Sequence, residues 1–338
     1  MSTSTLPSLG RRARRSVKRY GYGGFVARLF RDAAMVTRST YITRQNFAGQ
    51  RVFIDRQRQR ERLVVLLAGH KSFLWPYVIP RLARTVSADY DVCIASSGVD
   101  DTKLRAYCEE YGWSYLATKK NKVGLAVNLA IAAHEHALLI HKIDEDMFLT
   151  SGMLERLERT YHRISASGLA KPGACAPLIN INGYTYQMLL DKLGLTEEFR
   201  QKFGHLGYSH PHQVFRDPES VVWLWRHCLP LDALGERIAN AANGYSFVPV
   251  RFSIGAILFE RQFWGELGGF RVGTLSGTLG LDEEVFCKEC VDRFRPIVVS
   301  HDAFAGHFSF FNQEQSMRDA LPGLAALDPN CFSPVSGL

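Results

Sequence analysis

Residues 119–149 read KKNKVGLAVNLAIAAHEHALLIHKIDEDMFL, and the succession of characters in this stretch decides the fold. A polar turn carrying Asn121 and Gly124 leads into a helix candidate, VGLAVNLAIAAHEHA, and then into the apolar run LLIHKID at Leu138–Asp144. A short continuous apolar run of this kind fits a strand buried on both faces. The same rhythm extends towards the N-terminus. LVVLLAG (63–69) predicts a strand ending in glycine, and WPYVIPRLARTV a helix entered near Pro76. YDVCIASSG (90–98) predicts a second strand. DDTKLRAYCEEYG is a helix opened by Asp100 and Asp101 and closed by Gly112, and WSYLATK a third strand. Strand and helix alternating at this spacing predict an α/β fold, a Rossmann-like, mostly parallel sheet flanked by helices. Ligands of such sheets sit beyond the carboxyl ends of the strands, which singles out Ala68–His70, Ser96–Asp101 and Asp144–Asp146.

Asp144-Glu145-Asp146 carries the clearest chemistry. Alternation across the turn after the strand lets Asp144 and Asp146 face one cleft, and two carboxylates there suit a hard divalent cation and its phosphate ligand. A D-x-D alone is common, and a solvated acidic turn is the plain alternative. Beyond Thr150 the rhythm loosens: helix candidates (MLERLERTYHRI, EEFRQKFG, SVVWLWRHC) alternate with loops rich in His, Gly and Pro. A strand-and-helix segment at 247–270, an acidic helix start at 280–284 and the late strand PIVVSHDAFAGHFSF follow.

The 338 residues are 46% hydrophobic and 22% charged, which excludes wholesale disorder, collagen and coiled coil. No run approaches the roughly 18 apolar residues of a spanning helix, and the N-terminal basic segment lacks the apolar core of a secretory signal. Seven cysteines, irregularly spaced, are expected as thiols in a reducing cytoplasm. The net charge of +8 is uneven: residues 1–62 hold 15 Lys/Arg against three acids, a net of +12, and the rest is −4. Such asymmetry argues against a uniformly basic nucleic-acid-binding fold, and no nucleic-acid partner is expected. RRARRSVKRYGYGGFVARLF (11–30) reads either as a basic helical arm on an anionic membrane surface or as a solvated or packed arm. Four regions are expected: a basic N-terminal extension (1–62), a nucleotide-binding half (63–150), an acceptor-binding and catalytic half (151–320) and a C-terminal tail (321–338).

Three segments together resemble nucleotide-sugar-dependent glycosyltransferases of the GT-A fold, particularly the family 2 type. The first runs from LVVLLAGHK to the D-x-D, with Asn121, Gly124, Asn128, Asp144 and Asp146 matching the family's pattern. The second, FSIGAILFERQFWGELGGF (252–270), is similar to its acceptor-side stretch, and the third, GLDEEVFCKEC (280–290), to the E-D motif that supplies a catalytic base. The resemblance covers about residues 63–310. It implies a metal-dependent, inverting transfer of a sugar to a glycan or lipid-linked acceptor, in surface polysaccharide synthesis. The donor would be a nucleotide sugar, UDP-linked by preference. It implies Mn2+ or Mg2+ on Asp144, Asp146 and His307, donor contacts from Ala68, Gly69, His70, Ser97, Asp100, Asn121, Gly124, Asn128 and Asp144, and a base at Glu283 or Asp282. The thiols point to the cytoplasm, and the basic arm in a cytoplasmic protein fits an acceptor held at the inner face of the plasma membrane.

Two departures stand out. The family usually has Asp where Glu283 falls, leaving the choice among Asp282, Glu283 and Glu284 open, and three acids at a helix start also act as caps. The second strand ends in Ser96-Ser97 where an Asp pair is usual, so Asp100 or Asp101 would have to substitute. The rival readings are a nucleotidyltransferase, although AGHKSFLWP is poor in the glycines of a phosphate loop, and a non-catalytic GT-A-like binding protein. Lesser candidates are zinc at His205, His210 and His212, redox chemistry at Cys287 and Cys290, and a sugar platform at Trp223 and Trp225. For the tryptophans a core role is the stronger expectation. His134 and His136, two apart on a helix, point in different directions.

Overall fold

The computed structural model describes residues 51–208, 213–240, 244–273 and 280–332, together with 22, 23, 26, 27, 30 and 33. Contacts divide the chain into two units, 1–49 and 50–338. Of the first unit, the described residues are helical and exposed, Tyr22, Val26 and Phe30 among them. The rest of the basic stretch 11–30 lies outside the described residues. Among the described residues no helix is long and apolar enough to cross a membrane.

The second unit is built on a ten-stranded sheet. Strands β1 (Arg51–Ile54), β2 (Arg62–Ala68), β3 (Tyr90–Ser96), β4 (Ser114–Thr118) and β5 (Leu139–Asp144) come first. They are followed by β6 (Met147–Leu149), β7 (Ala174–Ile179), β8 (Tyr245–Phe247), β9 (Ala256–Glu260) and β10 (Ile297–His307). The spatial order is β1-β4-β3-β2-β5-β9-β7-β10-β6, with β8 beside β10. β4, β3, β2 and β5 are mutually parallel, as continuous apolar runs joined by helices require. Beyond β5 the sheet is mixed: β9 runs antiparallel to both β5 and β7, β7 is parallel to β10, and β6 and β8 are antiparallel to β10.

Local chemistry sets the helix ends. The Asp101 carboxylate accepts from the Lys103 and Leu104 amides to start the helix Thr102–Tyr111, which Gly112 closes in the left-handed conformation. Pro76 occupies the first turn of Trp75–Thr85, where its missing N–H leaves no bond unmade. Arg51–Ile54 belong to the sheet rather than to the arm, since β1 pairs with β4. The expected C-terminal tail begins inside the helix Glu314–Leu327, and the turn after it buries Cys331 and Phe332.

One connection positions the site. β5 lies between β2 and β9, yet β6, two residues later, pairs with β10 at the far edge. The chain therefore leaves the sheet at Glu145-Asp146 and bridges its two halves there.

Candidate functional site

A cavity of about 450 Å3 opens at the carboxyl ends of β2 and β5. Of the residues expected at a site, Ala68, His70, Ser97, Asn121, Asp144, Asp146, Asp282, Glu283 and His307 line it. The fold thus gathers side chains spread from residue 68 to residue 307.

Glu145, the middle acid of the D-x-D, organises one wall although neither the metal pattern nor the base motif assigns it a role. Its carboxylate accepts from the amides of Gly69 (3.0 Å) and His70 (2.9 Å) and from the Trp75 indole (2.6 Å). Three donors on one buried carboxylate clamp the turn after β2. Gly69 reaches that turn with φ +137°, and a side chain there would meet the Ser96 hydroxyl at 2.9 Å. The His70 imidazole Nε2 donates to the Ser97 carbonyl (3.1 Å), and the Ser97 hydroxyl donates to Asn121 (3.2 Å), so the turns after β2, β3 and β4 are tied together.

The two aspartates have different surroundings. Lys142 sits two residues before Asp144 on β5 and shares its face; its ammonium lies 2.6 Å from the Asp144 carboxylate and donates to the Ile254 carbonyl. Burial raises the Asp144 carboxyl to about 6; Asp146 and Asp282 add to the rise and Lys142 opposes it. Gly255 backs this group: a side chain there would meet the Met147 sulfur at 3.1 Å and the Asp144 Oδ2 at 3.6 Å. Asp146 is paired with the ammonium of Lys71 and lies 3.3 Å from the His307 Nε2. Burial pushes its carboxyl up, but His307 and Lys71 outweigh that and hold it well below the usual carboxylate range.

His307 is itself fixed. Its Nδ1 donates to the Ile181 carbonyl (2.8 Å), which leaves Nε2 facing Asp146. Its amide donates to Asn180, and the Trp225 indole donates to the carbonyls of His307 (2.9 Å) and Phe308 (3.0 Å). Trp225 is fully buried, and Trp223 packs on Phe199, Phe203 and His227; both are core residues, and Trp225 also steadies the end of β10.

On the opposite wall the helix Leu281–Asp292 begins at the cavity. Arg251 Nε donates to Glu283 at 2.7 Å and its guanidinium lies 3.7 Å from Glu284. Of these acids Asp282 is the one whose charge reaches Asp144.

Three residues assigned to donor contact are engaged elsewhere. Asp100 binds the Arg105 guanidinium and the Tyr115 hydroxyl, away from the cavity. Asn128 is buried and holds Phe270 and Trp264: its carbonyl accepts from the Phe270 amide (2.8 Å) and the Trp264 indole (2.9 Å), and its amide donates to Phe270 (2.9 Å). Gly124 packs against the Arg271 carbonyl and lines a neighbouring cavity of about 290 Å3 together with Asn121 and Asp282.

The metal set divides in the same way. Asp146 and His307 converge, whereas Asp144 is turned to Lys142, and among the described residues no three His, Cys, Asp or Glu side chains come together to hold an ion. With Lys71 on the shared oxygen of Asp146, the arrangement does not fit a resident divalent ion. His210 and His212 lie outside the described residues, so the zinc candidate does too. All seven cysteines are buried and unbonded. Burial pushes the Cys287 thiol up to about 11 and Cys290 further, against thiolate chemistry.

No protein-family model matches the chain, and no curated protein matches its sequence. Solved structures do align with it. GalNAc-T7 with UDP, GalNAc and Mn2+ is 11% identical over 76% of this chain, with a TM-score of 0.46, and this chain covers 45% of that one. Glucosyl-3-phosphoglycerate synthase from Mycobacterium tuberculosis, in complex with Mn2+, UDP and glucosyl-3-phosphoglycerate, is 15% identical over 82% of each chain, with a TM-score of 0.42. A mannosyltransferase from Pyrobaculum calidifontis with GDP-Man and Mn2+ is 11% identical over 80% of this chain and 67% of that one, also at 0.42.

Proposed function

We propose that this chain is a glycosyltransferase that moves a sugar from a nucleotide-sugar donor to a glycan or lipid-linked acceptor, with inversion. The observation that carries the reading is the cavity itself. The turn after β2 and the D-x-D after β5, both from the first segment of the sequence resemblance, face one space with the acidic helix start from its third segment and with His307.

Asp282 is assigned the base, because Arg251 occupies Glu283. Its carboxylate takes the proton of the acceptor hydroxyl as the oxygen attacks the anomeric carbon. The bond from that carbon to the diphosphate breaks, and the nucleoside diphosphate leaves with the electron pair. Attack from the side opposite the leaving group inverts the centre. Ser97, just after β3, and Asn121, in the turn after β4, would line the place of the nucleoside, with a UDP donor favoured. The basic, aromatic stretch 11–30 would hold the enzyme at an anionic membrane that carries the acceptor.

The test is nucleoside diphosphate release from a panel of UDP-, GDP-, CDP- and dTDP-sugars with candidate acceptors. Asp282→Asn is expected to lower turnover by about 10²–10⁴-fold with donor affinity kept. Full activity in that variant would move the base elsewhere, and a silent panel would end the transferase reading.

A further inference from the structure

Each aspartate of the D-x-D already has a cation of the protein's own. Lys142 neutralises Asp144 and Lys71 neutralises Asp146, and both lysine side chains line the cavity, nearly shut off from solvent. In charge, two ammonium groups equal one divalent ion. Lys71 directly follows the Gly69-His70 turn, whose amides Glu145 holds, and its ammonium lies 5.3 Å from the centre of the Phe311 ring. An ammonium has three donors; Asp146 takes one, leaving others for phosphate oxygens entering the cavity. A divalent ion seated on the same carboxylate oxygen would stand within about 4 Å of that ammonium, where like charges repel strongly in a low-dielectric site.

We propose that Lys71, backed by Lys142, is the cation that receives the donor's diphosphate, so that this chain binds nucleoside diphosphates without a divalent metal ion. The inference rests on the nucleotide-sugar reading above and names the group that neutralises its leaving diphosphate. As the bond to the sugar breaks, the negative charge gathering on the diphosphate is met by the Lys71 ammonium.

Calorimetric titration of the full chain with UDP and GDP, first in EDTA and then with Mn2+, tests it. The wild type is expected to bind one of them in EDTA, with Mn2+ changing the affinity little. Lys71→Met is expected to weaken binding in EDTA by about 10–100-fold, and Lys71→Arg by far less. Thermal melting checks that each variant folds, and the wild-type comparison needs no variant at all. Binding by the wild type only when Mn2+ is present would overturn the inference and leave the transferase reading standing. Unchanged binding in a folded Lys71→Met would also overturn it. Absence of any nucleotide binding, with metal or without, would overturn both.

Discussion

The half of the sheet made by β4, β3, β2 and β5 and the half made by β9, β7, β10 and β6 meet at the cavity but contribute differently to it. The first is parallel throughout and presents strand ends, so its contribution is turns: Ala68 and His70, Ser97, Asp144 to Asp146. The second mixes directions and contributes supports. β9 follows Gly255, packed close against Asp144, and β10 ends in His307, held by Asn180, Ile181 and Trp225. A parallel sheet puts its loops at one end and so gathers ligand-facing groups there without further design. A mixed sheet has no such end, and its site residues are held by side-chain hydrogen bonds.

The comparison can be broken most sharply at Glu145. Glu145→Ala leaves the Gly69 and His70 amides and the Trp75 indole without their buried acceptor, and a loss of about 3–5 kcal/mol in denaturant-measured stability is expected. A loss under about 1 kcal/mol would mean the turn after β2 holds itself. Asn128→Ala comes next, at about 2–3 kcal/mol from its three hydrogen bonds, with nucleotide affinity unchanged. Weakened nucleotide binding would return Asn128 to the donor site.

The opposite end of the parallel half holds a different cluster. Glu158 accepts from Tyr90 (2.8 Å) and Arg62 (2.9 Å) and contacts His141 (3.1 Å). Burial raises its carboxyl, but His141, Tyr90 and Arg62 together hold it below the ordinary 4.5. A carboxyl lowered by folding contributes stability that is complete above its unfolded value and lost as pH falls. Melting temperature should therefore drop as pH falls below 4.5, and less steeply in Glu158→Gln. Equal slopes would show that other carboxylates govern acid unfolding. The smallest effect is expected at Asp100→Ala: its pair with Arg105 is exposed, so melting temperature changes little and nucleotide binding stays the same. A drop in binding would show that this acid does take the place of the missing Asp pair.

The parallel half was legible because apolar runs, capping acids and glycines are local signals: Leu63–Gly69, Asp101 and Gly112 fall in the structure where their neighbours in sequence put them. The D-x-D was legible at the end of its strand for the same reason. Less so was the second half, where pairing β9 between β5 and β7 joins residues far apart in the chain, Leu139 with Glu260 and Cys175 with Leu258. Asn128 and Gly124 carried the right pattern with other employment, because the pattern records residue type and not which side of the helix faces the cavity.

What this sequence determined alone was the strand-and-helix alternation and the carboxylates that end β5, since both follow from local side-chain chemistry and a period of two. What only the tertiary structure decided was which cation answers each acid. Lys71 on Asp146, Lys142 on Asp144 and Arg251 on Glu283 are matters of a few ångströms between separate segments or along one strand face. Charge pairing weakens so steeply with distance and exposure to water that no reading of composition can assign it.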